Sequence, residues 1–351
     1  MVENAPIRVA FVGAGSICRT RHLPGLARIA GVEVVAVANR SPESAQKIAT
    51  DFGIRHVVDD WRELITRDDI DAVFIGTWPY MHKEISIATL RANKHVFCQA
   101  RMAMNLTEAR MMLAATEAHP NLVNMVCPPP TRMPFEPWIR QMIESDQLGQ
   151  ITTVELHAVN GDNLKTKQIH WREQTSYSGK QAMAMGIFAE TLNAWVGPYK
   201  ELSAWTSIPF PMKHDSKGNN VSIEVPQLVT LTGRLENGAL AVEHHIGVAT
   251  DQSTLSEQLT IWGTKGTIRY SFGDTIEFAP AGQPLQPVDV PKTLQRSWCV
   301  EHDFINAVRA AKQGNPWSVS PDFAEALLYM QKVQAIHESA AKHKAITLTR
   351  L

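Results

Sequence analysis

Residues Val9 to Cys18 read VAFVGAGSIC, an apolar run that breaks into Gly-x-Gly where a helix is due to begin. Gly13 permits the tight turn, and Gly15 removes the side chain that would stand between backbone and ligand. Ser16 and Ile17 then open a helix whose free N–H groups and positive dipole end suit a pyrophosphate. A Gly-x-Gly pair is unspecific by itself. Its place at the first strand-to-helix junction, ahead of further strand and helix alternation, is what gives it meaning.

Behind the turn the alternation continues. Runs at 7–12 (IRVAFV), 32–38 (VEVVAVA), 70–76 (IDAVFIG), 95–99 (HVFCQ) and 121–127 (NLVNMVC) are rich in Val, Ile and Phe and lack polar alternation. Strands buried on both faces have this composition. Between them lie amphipathic helical stretches, one opened by Ser41-Pro-Glu-Ser and one by Asn105-Leu-Thr-Glu, each with a cap residue at its start. Strands alternating with helices predict a doubly wound parallel sheet, an α/β Rossmann domain over 1–127, with ligands beyond the carboxyl ends of the strands.

Near residue 128 the rhythm changes, at Cys127-Pro-Pro-Pro-Thr. The runs 226–233, 239–248 and 257–262, with a turn at Glu236-Asn-Gly, predict consecutive antiparallel strands with one wet face. An α+β domain with a largely antiparallel open sheet is expected over 128–300. Residues 301–351 are expected to form a helical segment closing against the first domain. The 351 residues fit this division.

Composition bounds the partners. Apolar residues at 44% and charged residues at 20% are ordinary for a folded soluble protein, and a net charge of −1 gives no reason to expect nucleic acid or an anionic membrane. No signal peptide is visible in MVENAPIRVAF, and no apolar run approaches membrane-spanning length. The four cysteines, Cys18, Cys98, Cys127 and Cys299, are scattered without metal-type pairing. They read as small buried thiols of a reducing compartment, which points to the cytoplasm.

The chain resembles the glucose-fructose oxidoreductase / inositol dehydrogenase / rhizopine catabolism family of NAD(P)-dependent oxidoreductases. The likeness runs nearly end to end. It is carried by the glycine turn at Gly13, Thr77-Trp-Pro-Tyr-Met-His82, Lys94-His-Val-Phe-Cys98, His170-Trp-Arg172, Gly263-Thr-Lys-Gly266 and Val319-Ser-Pro-Asp322. The resemblance implies a Rossmann domain followed by an α+β domain whose open sheet mediates homodimers or homotetramers. It also implies a nicotinamide coenzyme and a hydroxylated substrate: a sugar, sugar acid, polyol or inositol. Thr77, Trp78, Gln99, Trp171 and Arg172 join the expected coenzyme contacts on that basis.

The departures from the family are equally informative. Where the family has Glu-Lys-Pro after the fifth strand, with its lysine beside the reacting carbon, this chain has Gln99-Ala100-Arg101. Where the family has an aspartate and, four residues on, a proton-relaying histidine, alignment on Gly186 gives Ala184 and Phe188. Hydride transfer from an alcohol needs a base for the hydroxyl proton, and carbonyl reduction needs an acid, worth roughly 10²–10⁴-fold in rate. Alanine and phenylalanine supply neither. The site then uses other residues for the same redox step, runs different non-redox chemistry, or binds a coenzyme without turning anything over.

Under the first alternative the replacements are Lys180, after Ser178-Gly179, with Tyr177, His170 and Arg101. Arginine stays protonated, so Arg101 anchors a carboxylate or polarises an oxygen and is not a base. Each has a plainer reading: Lys180 as a solvated lysine, His170 as an orienter of the Trp171-Arg172 turn, Tyr177 as a packing residue. Arg101 and Lys180 together point to an acidic substrate.

Coenzyme choice turns on the residues at the end of the second strand. An NAD site places an acid about 20 residues beyond the glycines, on the ribose hydroxyls. Here stand Asn39-Arg40-Ser41. Arg40 and Ser41 suit a 2′-phosphate, which leans the reading to NADP(H) over NAD(H); the alternative is Asn39 bonding an unphosphorylated ribose. The resemblance puts His82 near the coenzyme, with backbone capping as the alternative, and Trp78 is a wall for the nicotinamide. Cys18, at the third small position of the turn, is bulkier than Gly or Ala and predicts a loosened helix–strand contact. His244 and His245 sit in a predicted strand and point to opposite faces, so no metal site is expected.

Overall fold

The computed structural model describes residues 5–251, 255–273 and 275–349. Its chain divides into two compact units, Met1–Pro128 with Cys299–Leu327, and Pro129–Trp298 with Leu328–Leu351.

The first unit is built on six parallel strands, β1 (Ile7–Val12), β2 (Val32–Ala38), β3 (His56–Val57), β4 (Ala72–Ile75), β5 (His95–Cys98) and β6 (Asn124–Val126). They lie in the order β3-β2-β1-β4-β5-β6. The order reverses between β1 and β4, and a parallel sheet of this kind opens its ligand crevice at that reversal. Every residue of β4 and β5 is buried, which accounts for the unbroken apolar runs. β3 is only two residues long and carries no readable run.

The helices of this unit are α1 (Leu23–Leu26), α2 (Pro42–Phe52), α3 (Trp61–Thr66), α4 (Pro79–Arg91) and α5 (Leu106–Glu117). Ser41 Oγ caps α2 by accepting the Ser44 N–H, and Asn105 Oδ1 caps α5 by accepting the Glu108 N–H. The helix expected directly after the glycine turn is wound as a π-turn over Cys18–His22 before the single α turn of α1.

The second unit carries α6 (Glu136–Glu144), α7 (Thr175–Ser178) and α8 (Met185–Val196). Its strands are β7 (Ile151–Val159), β8 (Tyr199–Ser207), β9 (Met212–His214), β10 (Asn220–Ser222), β11 (Leu228–Leu235), β12 (Leu240–Ile246), β13 (Ser256–Gly263), β14 (Gly266–Ser271), β15 (Thr275–Pro280), β16 (Gln286–Pro287) and β17 (Ile346–Thr347). Nine of them form one sheet in the order β16-β15-β14-β13-β7-β12-β11-β8-β17, and β9 pairs with β10 as a separate hairpin. The pairings are antiparallel except that β12 runs parallel to β7. Buried and half-exposed residues alternate along β7, so one face enters a core with Trp138, Ile139, Phe188 and Leu192 from α6 and α8.

The carboxyl-terminal segment divides differently from the expectation over 301–351. The helix α9 (Val300–Lys312) and the first residues of α10 (Phe323–Lys342) count with the first unit, and the remainder counts with the second. The reason is local: β17 extends the second sheet by pairing Ile346 and Thr347 with Leu202 and Glu201 of β8.

Candidate functional site

The carboxyl ends of β1, β2 and β4 and one face of α2 enclose a cavity of about 880 Å³. Gly13 turns with φ +81°, and a Cβ there would stand 2.6 Å from the Thr77 nitrogen, so the loops after β1 and β4 meet backbone to backbone. Gly76 completes the approach, since a Cβ on it would lie 2.2 Å from the Gly13 oxygen and 2.4 Å from Cys18 Sγ. Gly15 is different. The nearest atom to a Cβ there is the Gly76 oxygen at 3.8 Å, so internal packing does not require a glycine, and the space it leaves belongs to the cavity.

Cys18 does not loosen the helix–strand contact as expected. Its sulfur is buried tightly against Gly76, which has no side chain to resist it, and burial pushes the thiol up to about 12.

At the end of β2, Asn39 Oδ1 accepts the Ala14 N–H at 2.6 Å, which leaves its amide nitrogen for a ligand. Arg40 is exposed, with its guanidinium 5.9 Å from the centre of the Trp78 ring. The α2 residues Ser44, Lys47, Ile48 and Asp51 also line the cavity, and Asp51 pairs with Arg19 at 3.5 Å. Phe52, Trp61 and Tyr80 provide aromatic walls. Thr77 Oγ1 is buried without a hydrogen-bond partner among the described residues. A glycine cradle, an orphaned hydroxyl, aromatic walls and cationic side chains at one end together fit a dinucleotide.

Of the expected coenzyme contacts in this unit, Gly13, Gly15, Ser16, Asn39, Arg40, Thr77 and Trp78 line the cavity. Ile17, Ser41, His82 and Gln99 do not. Ser41 is occupied as the cap of α2. His82 is fully buried and faces backbone, with Nδ1 2.9 Å from the Arg101 carbonyl and Nε2 3.0 Å from the Thr77 carbonyl. Burial lowers its basicity, against the pull of those carbonyls, and a neutral ring donates to one of them at a time. Gln99 follows β5, its N–H bonded to the Ile75 carbonyl at 2.9 Å, and its side-chain amide meets His22. Arg101, joined to Ala100 by a cis peptide bond, is buried. The lining residues Lys47, Phe52 and Trp61 belong to no motif. The spacing Ser44, Lys47, Ile48, Asp51 on one face of amphipathic α2 is a signal for Lys47, whereas Phe52 and Trp61, the latter on α3, have none.

The other expected residues stand on the second unit. His170 Nδ1 accepts the Arg172 N–H at 3.3 Å while its own N–H donates to Glu173 at 2.9 Å, a reciprocal cap on the 170–173 turn. The Arg172 guanidinium lies 4.3 Å from the Trp171 ring centre. Glu173 is buried against Lys213 at 2.8 Å. Tyr177 is half-buried on α7. Lys180 is exposed, its carbonyl accepts from His337 at 2.5 Å, and its charge is felt by Glu338.

At the positions of the family's other proton carriers, Ala184 precedes α8 without a side-chain cap, and Phe188 is buried 5.0 Å from Phe272 and 6.0 Å from His245, ring centre to ring centre. His245 belongs to a buried network in which Glu243 accepts from Tyr199 at 2.5 Å, Lys332 at 2.5 Å and His245 at 2.9 Å. His244 lies on the opposite, half-exposed face. Among the described residues no three His, Cys, Asp or Glu side chains converge as a metal centre, and no helix is long and apolar enough to cross a membrane.

The glycine-lined cavity at the switch point of a six-stranded parallel sheet defines a dinucleotide-binding α/β protein, joined to a mostly antiparallel sheet unit. Residues 7–126 match the GFO/IDH/MocA oxidoreductase family with NAD-binding Rossmann fold, and residues 138–269 match the GFO/IDH/MocA carboxyl-terminal domain. The chain belongs to this family and is a nicotinamide-coenzyme oxidoreductase by class.

Levoglucosan dehydrogenase of Pseudarthrobacter phenanthrenivorans is 26% identical over 91% of this chain and 90% of its own. 4-Carboxy-2-hydroxymuconate-6-semialdehyde dehydrogenase of Sphingobium is 32% identical over 46% of this chain and 51% of its own. In structure, levoglucosan dehydrogenase in complex with NADH superposes with a TM-score of 0.87 at 24% identity, covering 99% of this chain and all of that one. WlbA dehydrogenase of Bordetella pertussis, in complex with NADH and UDP-GlcNAcA, gives 0.80 at 20% identity over 99% of each chain.

Proposed function

We propose that the protein oxidises or reduces a hydroxylated small molecule of the sugar, sugar acid or inositol class, with NADP(H) preferred over NAD(H). The bound coenzyme supplies the hydride acceptor or donor. The observation that carries the coenzyme preference is the Asn39 amide, whose oxygen is taken by Ala14, on the cavity lining beside Arg40 and Lys47, three donors around the place where a 2′-phosphate would enter. Asp51 is engaged by Arg19 and opposes them less than a free carboxylate would. The substrate class is supported by relatives that act on levoglucosan, 1,5-anhydro-D-fructose and inositol.

The proton-transfer set is non-standard. With Ala100, Ala184 and Phe188 in the family's positions, Lys180, Tyr177 and His170 are the groups of the second unit proposed to hold or move the substrate proton. Arg101 is proposed to anchor an acidic group. His170 Nδ1 is committed to the Arg172 N–H, which leaves Nε2 as its working nitrogen. Homo-oligomers through the half-exposed face of the nine-stranded sheet, where Trp205 and Leu240 are exposed, and a cytoplasmic location, in keeping with the buried free thiols Cys18, Cys98 and Cys127, belong to the same reading.

The competing reading is a coenzyme-binding protein without dehydrogenase activity, favoured by the buried Phe188 where a relay histidine would stand. Absorbance at 340 nm, followed with both coenzymes against hydroxy and keto sugars and acids, separates the two. Turnover that falls about 10²-fold in Lys180→Ala or Tyr177→Phe supports the proposed set. Coenzyme binding with no turnover across the panel supports the competitor.

A further inference from the structure

Three side chains from distant parts of the first unit, two of them buried and one half-buried, form a chain at the end of β5. Glu301 of α9 stands 2.5 Å from His22 Nδ1, and His22 Nε2 meets the side-chain amide of Gln99. His22 is wholly buried and Glu301 nearly so. The imidazole is packed by Phe97 at 5.1 Å and Phe74 at 5.8 Å. Room for the carboxylate is made by Gly25, where a Cβ would stand 2.8 Å from Glu301 Oε2. An ionisable pair buried this deeply, with a glycine cut to admit it, is a built arrangement.

Proton bookkeeping gives the chain a direction. The contact with Glu301 puts an imidazole N–H on Nδ1. The amino group of Gln99 is the end that faces Nε2, so Nε2 accepts from it. The carboxamide oxygen of Gln99 is left to accept from elsewhere. A glutamate at this position would need no such control, because both its oxygens accept; a glutamine presents either end unless it is held.

We propose that Glu301 and His22 are positioning residues that fix the Gln99 carboxamide with its oxygen as acceptor for an N–H or O–H of the nicotinamide half of the coenzyme. This rests on the reading that the coenzyme crosses the strand ends with its adenosine half at β2, where Asn39 and Arg40 stand, and its nicotinamide half extending past the cavity lined by Thr77 and Trp78 toward Gln99 after β5. The hydrogen bond has two chemical sources, the nicotinamide carboxamide N–H and the ribose hydroxyl.

The test measures dissociation constants of the full chain for NADPH, NADH and the reduced 3-acetylpyridine analogue, which lacks the carboxamide N–H, alongside thermal unfolding. Gln99→Met is expected to weaken NADPH and NADH about fivefold to tenfold, the loss of one hydrogen bond. The double variant His22→Phe/Glu301→Leu removes both buried polar partners, keeps apolar packing and is expected to fold. With Gln99 intact it should show the same loss, which a merely structural role would not produce. A loss confined to the natural coenzymes assigns the nicotinamide N–H, and a loss shared by the analogue assigns the ribose hydroxyl; either supports the proposal. Wild-type affinity in Gln99→Met, or in the folded double variant, overturns it. Absence of coenzyme binding by the unaltered protein overturns the coenzyme reading itself.

Discussion

The side-chain oxygen of Asn39 accepts the Ala14 N–H at 2.6 Å, tying the end of β2 to the glycine turn. The bond takes the oxygen end of the amide and leaves the amino end, on a residue that lines the cavity. An aspartate at 39 would keep it, lose the donor and add a negative charge.

Asn39→Asp is therefore expected to raise the dissociation constant for NADPH about tenfold or more and to leave NADH within about threefold. Fluorescence titration of both coenzymes checks this. Equal effects on the two would remove Asn39 from the discrimination.

Gly13 and Gly15 should separate folding from binding. Gly13→Ala puts a Cβ at φ +81° and against the Thr77 backbone, and is expected to cost about 2 kcal/mol or more of stability. Gly15→Ala meets nothing closer than the Gly76 oxygen at 3.8 Å, so its melting temperature should stay near that of the parent while coenzyme affinity falls. Thermal melts paired with coenzyme titration read both effects.

These two glycines also show how far the sequence could be read. Gly-x-Gly after an apolar run announced the turn, and the parallel sheet, its caps at Ser41 and Asn105 and the β11–β12 hairpin at Glu236-Asn-Gly all arise from local chemistry. Sequence reading did not separate the two glycines, because Gly13 is needed by Thr77, more than sixty positions away, whereas Gly15 is needed by nothing in the chain. For His82 the sequence leaves two readings open, coenzyme neighbour or backbone partner, and its ring is buried against the Thr77 and Arg101 carbonyls. A motif gives a histidine's place along the chain but not which way its ring turns. The Glu301–His22 contact carries no local signal at all.

The network around Glu243 predicts a pH dependence. Burial alone would raise this carboxyl, yet Lys332 and His245 outweigh it and hold it at about 2, below the ordinary value of about 4.3. Its stabilising contribution is therefore complete above about pH 4.3 and is lost as the pH falls toward about 2. Burial lowers Lys332 as well, so the pair contributes less than the carboxyl shift alone implies. Lys332→Met removes the nearest cation from a buried carboxylate that keeps only Tyr199 and His245 as partners, and should cost about 3 kcal/mol at neutral pH, with a flatter acid slope. Urea midpoints between about pH 2 and pH 6 measure both.

Restoring the family's histidine should not restore its chemistry. Phe188→His sets a polar ring against Phe272 in a buried site, next to an Ala184 that offers it no carboxylate, and is expected to cost about 2 kcal/mol. A calorimetric melt reads the cost. Turnover at 340 nm is expected not to rise above the parent's.

His82 lies between the carbonyls of Thr77 and Arg101 with one imidazole N–H to give to either, and so packs against both segments that leave two neighbouring strands. A shift of the carbonyl that holds the N–H moves the ring against the other. A ligand that presses on Thr77 is thereby felt at Arg101 through a ring it never touches.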